Sequence, residues 1–137
     1  MASHMFFHIS SFPRTNLAPP SLMPPRCFRC GAPSERVTTR NSNRNGNAGR
    51  PYDKCTRCKK FLGFADERGN DPNNPPCHCG VSSRRQVAGP EKQVPYGLHY
   101  VCRLGACDFY APYTNAENQQ VTVSRELVDR FATLQII

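Results

Sequence analysis

Eight cysteines that divide into two sets of four limit this chain more than any other feature. Cys27-x2-Cys30 and Cys55-x2-Cys58 are separated by 24 residues, and Cys77-x-Cys79 and Cys102-x4-Cys107 by 22. Two short cysteine knuckles about twenty residues apart are what a tetrahedral four-thiolate zinc site requires. Each knuckle offers two sulfurs from one tight turn, and the chain between returns the second turn to the first. Gly31 and Gly80 each follow the leading pair, where a tight turn favours glycine. Disulfides are the alternative for an even cysteine count in a small domain. A bridge within C-x-C or C-x2-C would close a tiny strained loop, and crossed pairing would not explain why both sets share one layout. Two Zn2+ ions are therefore expected, one held by Cys27, Cys30, Cys55 and Cys58, the other by Cys77, Cys79, Cys102 and Cys107. His78 lies between two ligands and His99 in an alternating run that reads as a strand, so both are expected beside the metal or at the surface rather than on it.

The rest of the chain needs such staples. Only 38% of its 137 residues are hydrophobic, with thirteen Pro and no Trp, too little for a large apolar core. The fold class expected is small, metal-stabilised and mainly β, built as two tandem units. Each half reads as a knuckle with Gly, a polar stretch, a turn, an aromatic strand ending in Cys, and a last Cys followed by aromatics. The first unit spans 26–68, the second 77–113, and GNDPNNPP (69–76) reads as a short linker.

Residues 1–25 read as an expression remnant (MASH) and a Pro-rich arm, disordered or extended. No apolar run is long enough to span a membrane, and the brief apolar stretch after Met5 lacks the features of a signal peptide. In the C-terminal segment 114–137, Leu127, Phe131 and Leu134 recur at i, i+4 and i+7, with Val128 alongside. They predict an amphipathic α-helix over about 124–135 with Ser124 as N-cap and Glu126 in its first turn. Its apolar stripe either packs on a ribbon or meets a partner.

Gly49-Arg50-Pro51-Tyr52 before Cys55, Phe61 and Phe64 after Cys58, and Cys107-Asp108-Phe109-Tyr110 in the second half together resemble the GRF-type zinc ribbon. The paired arrangement is similar to GRF-like ribbons of small fungal proteins. The resemblance covers about 80 residues of the 137. It implies two zinc ribbons, each a three-stranded antiparallel sheet with the metal at one end, and binding of single-stranded nucleic acid. Gly97-Leu98-His99-Tyr100 stands where the first half has its Gly-Arg element.

Charge sharpens that expectation. The formal net charge of +8 falls to about +4 once two tetrathiolate zinc centres of about −2 each are counted. Residues 26–68 hold eleven Lys or Arg against four acids, a formal +7, whereas 77–113 come to +2. A basic face with aromatic rings suits single strands, because cations track phosphates while rings stack on bases. Arg40, Arg44, Arg50, Lys54, Arg57, Lys59 and Lys60 are the candidate phosphate contacts, and Tyr52 and Phe61 the candidate stackers. Arg84-Arg85 reads as a small secondary patch. Phe28, Phe61 and Phe64 are the competing candidates for the first unit's core.

Catalysis is not expected, since closed four-cysteine sites leave no position for water or substrate and the carboxylates are scattered. The partner expected is nucleic acid, single-stranded DNA or RNA, and the location intracellular and nuclear. The alternatives are a protein-interaction module using the second ribbon and the C-terminal helix, or a small secreted cysteine-rich protein.

Overall fold

The structure is a computed structural model that describes residues 16–43 and 45–137; Arg44 and residues 1–15 lie outside the described residues. The first unit forms a three-stranded antiparallel sheet from β1 (Ser34–Thr38), β2 (Pro51–Cys55) and β3 (Phe61–Phe64) in the order β1-β2-β3. The second repeats it with β4 (Arg84–Val87), β5 (Leu98–Val101) and β6 (Tyr110–Pro112) in the order β4-β5-β6. A helix, α1 (Arg125–Thr133), follows.

The two knuckles that open the units differ by one residue. Gly31 donates to the Cys27 carbonyl (2.8 Å) and Gly80 to that of Cys77 (3.0 Å), so the C-x-C turn closes one residue earlier than the C-x2-C turn. Both glycines have positive φ, 77° and 82°, and space for a side chain is open at both. Their conformation, not a close approach, demands glycine.

One irregularity shapes the first sheet. Tyr52 pairs with Phe64 and Lys54 with Phe61, with a register shift between Asp53 and Lys54. In a regular strand Phe61 and Phe64, three apart, would face opposite sides. The extra residue brings both to the side of Tyr52 and leaves Leu62 to the zinc end, where it is buried with Cys27, Ala32 and Cys55. The β5-β6 ladder has no such shift.

The segment 69–76 has exposed residues at Pro72, Asn73, Pro75 and Pro76 and is anchored by two buried asparagines. Asn70 and Asn74 are buried, and Asn74 Nδ2 donates to the Gly69 and Ser83 carbonyls, both at 2.9 Å. Its turn formers serve internal hydrogen bonds that tie the units together. Gly69 has φ +77°, and a Cβ there would lie 2.0 Å from the Arg85 carbonyl oxygen. Gly69→Ala combines left-handed strain with overlap against backbone, and should cost about 3 kcal/mol, read as a lowered urea midpoint. A shift of under about 0.5 kcal/mol, the level of ordinary surface substitutions, would mean that the joint is not tight. The units also touch back to back: a Cβ on Gly63 would stand 3.3 Å from the Gly105 Cα.

Residues 16–25 form no strand or helix, bend at Leu22 and Met23, and are held by hydrogen bonds to both units. Asn70 Nδ2 donates to the Ala18 carbonyl (3.0 Å), Arg103 Nη1 to that of Pro19 (2.7 Å) and Arg36 Nη2 to that of Ser21 (3.1 Å).

The second unit has the larger apolar core. Leu98, Val121, Val123, Val128, Phe131, Ile136 and Ile137 pack together, so the helix lays its apolar side on its own ribbon, with Val128 also set against Gly46 of the first unit. The buried helix residues are Val128 and Phe131, whereas Leu127 and Leu134 lie at the exposed margin. The expected stripe thus turns inward on its Val128–Phe131 side, and its leucines lie at the margin. Gln135 takes a left-handed conformation, with Ile136 N bonded to the Phe131 carbonyl and Gln135 N to that of Ala132. This Schellman turn folds Ile136 and Ile137 back into the core, and they supply the contact that the outer leucines would have made. Ser124 has the extended backbone of an N-cap but makes no side-chain cap bond.

Candidate metal centres and nucleic-acid interface

None of the eight cysteines is in a disulfide, and they gather into the two expected clusters. In each, the four sulfurs lie within 4.8 Å of one another. Cys27 and Cys58 sulfurs are 3.8 Å apart and those of Cys30 and Cys55 3.5 Å. A tetrahedron with metal–sulfur bonds of about 2.3 Å has edges of about 3.8 Å, so the first cluster has the right size for Zn2+. Its electrostatics also call for a cation. Burial opposes a charged Cys55 sulfur, but the N–H groups of Cys58 and Arg57 and the thiols of Cys30 and Cys58 outweigh it and bring Cys55 down to about 6. Cys58 moves the other way. The Lys60 N–H favours its thiolate, yet burial and the three neighbouring thiols push it up to about 11. Four sulfurs this close ionise together only around a dication. In the second cluster burial, then Cys107 and Cys102, push Cys79 up to about 12. Two Zn2+ ions, one per cluster, fit these donor sets, and their role there is structural. His78 and His99 are in neither cluster. His99 is buried, contrary to a surface position, and lies within hydrogen-bond distance of the Gly97 carbonyl (Nδ1, 3.2 Å) and of Gln86 Nε2 (Nε2, 3.1 Å).

On the outer face of the first sheet an open groove of about 360 Å³ is lined by Thr39, Asn43, Asn47, Tyr52, Lys54, Lys59, Phe61 and Phe64. Of the nine sequence candidates, Tyr52, Lys54, Lys59 and Phe61 meet here. The Tyr52 and Phe61 rings are 5.6 Å apart and tilted by 33°, and Phe64 meets Phe61 edge-on at 5.0 Å. Phe61 is 47% exposed and so is a groove residue, not core. Arg40, Arg57 and Lys60 are exposed but do not line the groove. Arg44 lies outside the described residues.

Arg50 is a correction. It is only 4% exposed and so is not an outward phosphate contact. Its guanidinium forms a fork with Asp66 (Nε to Oδ2 2.8 Å, Nη2 to Oδ1 2.9 Å), bonds Asn47 Oδ1 at 3.1 Å, and lies 3.8 Å from the Phe64 ring centre. It therefore supports the groove from beneath. Arg84 and Arg85 are a second correction, since both are buried and form no surface patch. Arg84 Nη1 reaches Asp66 Oδ1 (2.7 Å) and the Arg68 carbonyl (2.9 Å), and its Nη2 reaches the carbonyls of Phe64 (2.9 Å) and Asp66 (2.6 Å). Burial disfavours the Asp66 charge, but Arg50 and Arg84 together outweigh it and hold the carboxyl below its ordinary value. Arg85 Nη2 bonds Asn74 Oδ1 at 3.1 Å.

The second ribbon has the same spacing of rings from its cysteines, with different chemistry. His99 stands three residues before Cys102 as Tyr52 does before Cys55, and Tyr110 three after Cys107 as Phe61 does after Cys58. Their rings stack at 5.1 Å and 28°. His99, not Tyr100, thus corresponds to Tyr52; Tyr100 lies on the opposite face with Tyr113. Where the first groove has Lys54 and Lys59, the second has Val101 and Asp108.

Thr39, Asn43, Asn47, Phe64 and Asp66 were not foreseen as parts of the site. Phe64 follows a knuckle at aromatic spacing and could have been read. Asp66, sixteen residues from Arg50, carried no local signal.

Residues 24–68 match the family model of the GRF-like zinc ribbon domain. No curated protein and no solved structure matches the chain. The chain thus carries a GRF-like zinc ribbon followed by a second four-cysteine ribbon of the same layout.

Proposed function

We propose that this chain is a zinc-ribbon protein that binds single-stranded DNA or RNA in the outer groove of its first ribbon. The observation that carries the reading is the run of three rings, Tyr52, Phe61 and Phe64, bordered by Lys54 and Lys59 in one open groove. The exposed Phe61 ring, with the half-buried Tyr52 and Phe64 beside it, offers stacking surface to bases, worth about 1–3 kcal/mol per stacked base, and the two ammonium groups meet the phosphates. A duplex keeps its bases stacked on one another, so the rings favour a single strand. The second ribbon lacks the lysines at the matching positions and is not assigned a phosphate-binding role.

The test is fluorescence anisotropy with labelled single-stranded and duplex oligonucleotides at several salt concentrations. Lys54→Ala with Lys59→Ala should weaken binding to all sequences and flatten the salt slope by about 1.4, two contacts at about 0.7 each. Phe61→Ala should weaken binding about 5-fold to 150-fold and leave the slope unchanged. Absence of single-strand binding at low salt by the zinc-loaded protein, or equal preference for duplex, would overturn the reading.

A further inference from the structure

We propose that Arg84, a residue of the second ribbon, is a positioning residue for the single-strand groove of the first, so that the second ribbon acts as a brace. This rests on the reading of that groove given above. Arg84 is 0% exposed, out of reach of a strand in the groove. Its contacts all fall on the end of β3 and the turn after it, the segment that carries the groove's rings. Through Nη2 it takes the main-chain oxygen of Phe64, whose ring lines the groove. Through Nη1 it takes Asp66 Oδ1, the same oxygen that accepts from Arg50 Nη2. Arg50 in turn lies under the Phe64 ring, which meets Phe61. One half-buried carboxylate thus joins a cation of each ribbon, and both cations end at Phe64.

A second contact grips the same strand. Gly63 of β3 lies against Gly105, in the loop between Cys102 and Cys107, so the second metal loop backs the groove strand at the residue next to Phe64. The bulge explains why the strand needs this support. A shifted register leaves β3 with fewer regular ladder bonds, and β3 is an edge strand of its sheet. The second ribbon, with Val101 and Asp108 in place of the groove lysines, contributes packing where the first contributes charge.

The experiment uses the full zinc-loaded chain, wild type and Arg84→Gln, with a labelled single-stranded oligonucleotide over a salt series. NMR of the Phe61, Phe64 and Tyr52 ring protons is recorded without nucleic acid. The variant should keep two zinc ions, shift the ring resonances and bind about tenfold more weakly with an unchanged salt slope, because stacking geometry is lost and no phosphate contact is. Unmoved ring signals together with wild-type affinity would overturn the brace. A slope reduced by one phosphate contact would overturn it as well, since Arg84 would then meet nucleic acid directly. If Arg84→Gln fails to fold, Asp66→Asn is measured the same way; it weakens the shared link while keeping its shape, and shifted ring signals with weaker binding support the brace while unmoved signals with wild-type affinity overturn it. Should the wild-type protein bind no single strand, the groove reading fails by itself, and the ring resonances still decide whether Arg84 positions Phe64.

Discussion

Cys55→Ser is expected to unfold the first ribbon and leave one zinc ion per chain. The first unit has almost no core apart from its metal site: Cys27, Ala32, Cys55 and Leu62 are its buried apolar cluster, with Phe28 packed alongside. Two of those four residues are ligands. Structural zinc binds with an apparent energy of about 10–16 kcal/mol, more than the total stability of many small domains, so losing one thiolate removes the term that holds β1, β2 and β3 together. The second unit has an apolar core of its own around Phe131 and a complete ligand set, and should stay folded, though less stable without the partners of Arg84. Metal content should fall from two to one, amide signals of β1–β3 should collapse, and those of β5 and α1 should persist. Retained dispersion of the first unit's signals would show that zinc does not fold it. Loss of both ions would show that the two ribbons fold only as one unit. Chelation should remove both ions and both sheets. Because protons compete with the metal for the thiolates, affinity for zinc should fall as the pH falls.

The metal centres were legible because a ligand set is written in local spacing: each knuckle is its own turn, and a tetrahedral ion tolerates many paths between two turns. The rings and lysines that adjoin a knuckle were legible for the same reason, since Tyr52, Lys54, Lys59 and Phe61 all lie within three residues of Cys55 or Cys58. What escaped depends on partners distant in the chain. Arg50 reads as a surface cation until Asp66 is placed beside it, and Arg84 and Arg85 read as a patch until the turn after β3 is seen to take the one and Asn74 and the Ile136 carbonyl the other. Isolated guanidinium groups avoid the interior, but a fork to a carboxylate and several carbonyls offsets the loss of water. No local pattern announces that exchange. The register shift in β2-β3 is likewise set by which rings pack together, and only the shift brings Phe64 to the groove.

Phe131→Ala is the second large effect expected, and it bears on what the C-terminal helix does. Read from its heptad-like spacing alone, the helix could offer Leu127, Phe131 and Leu134 to a partner. In the fold Phe131 is 0% exposed, enclosed by Leu98 of β5, Val121, Val123, Val128 and the returning Ile136 and Ile137. A Phe removed from such surroundings costs about 3–5 kcal/mol, transfer and cavity terms together. For a small domain that is a large share of the total, and the urea midpoint of the second unit should drop accordingly. Zinc content should remain two, because the ligands Cys77, Cys79, Cys102 and Cys107 form a separate cluster from this core. Leu134→Ala, at the exposed margin of the helix, should cost about 1 kcal/mol or less, so the pair of variants separates a core helix from a docking one. Equal and small effects would mean that α1 leaves the ribbon easily. A large effect for Phe131 alone assigns the helix to the second ribbon's stability. That is the rigidity a brace needs, since Arg84 can position Phe64 only if the sheet that carries it is itself held.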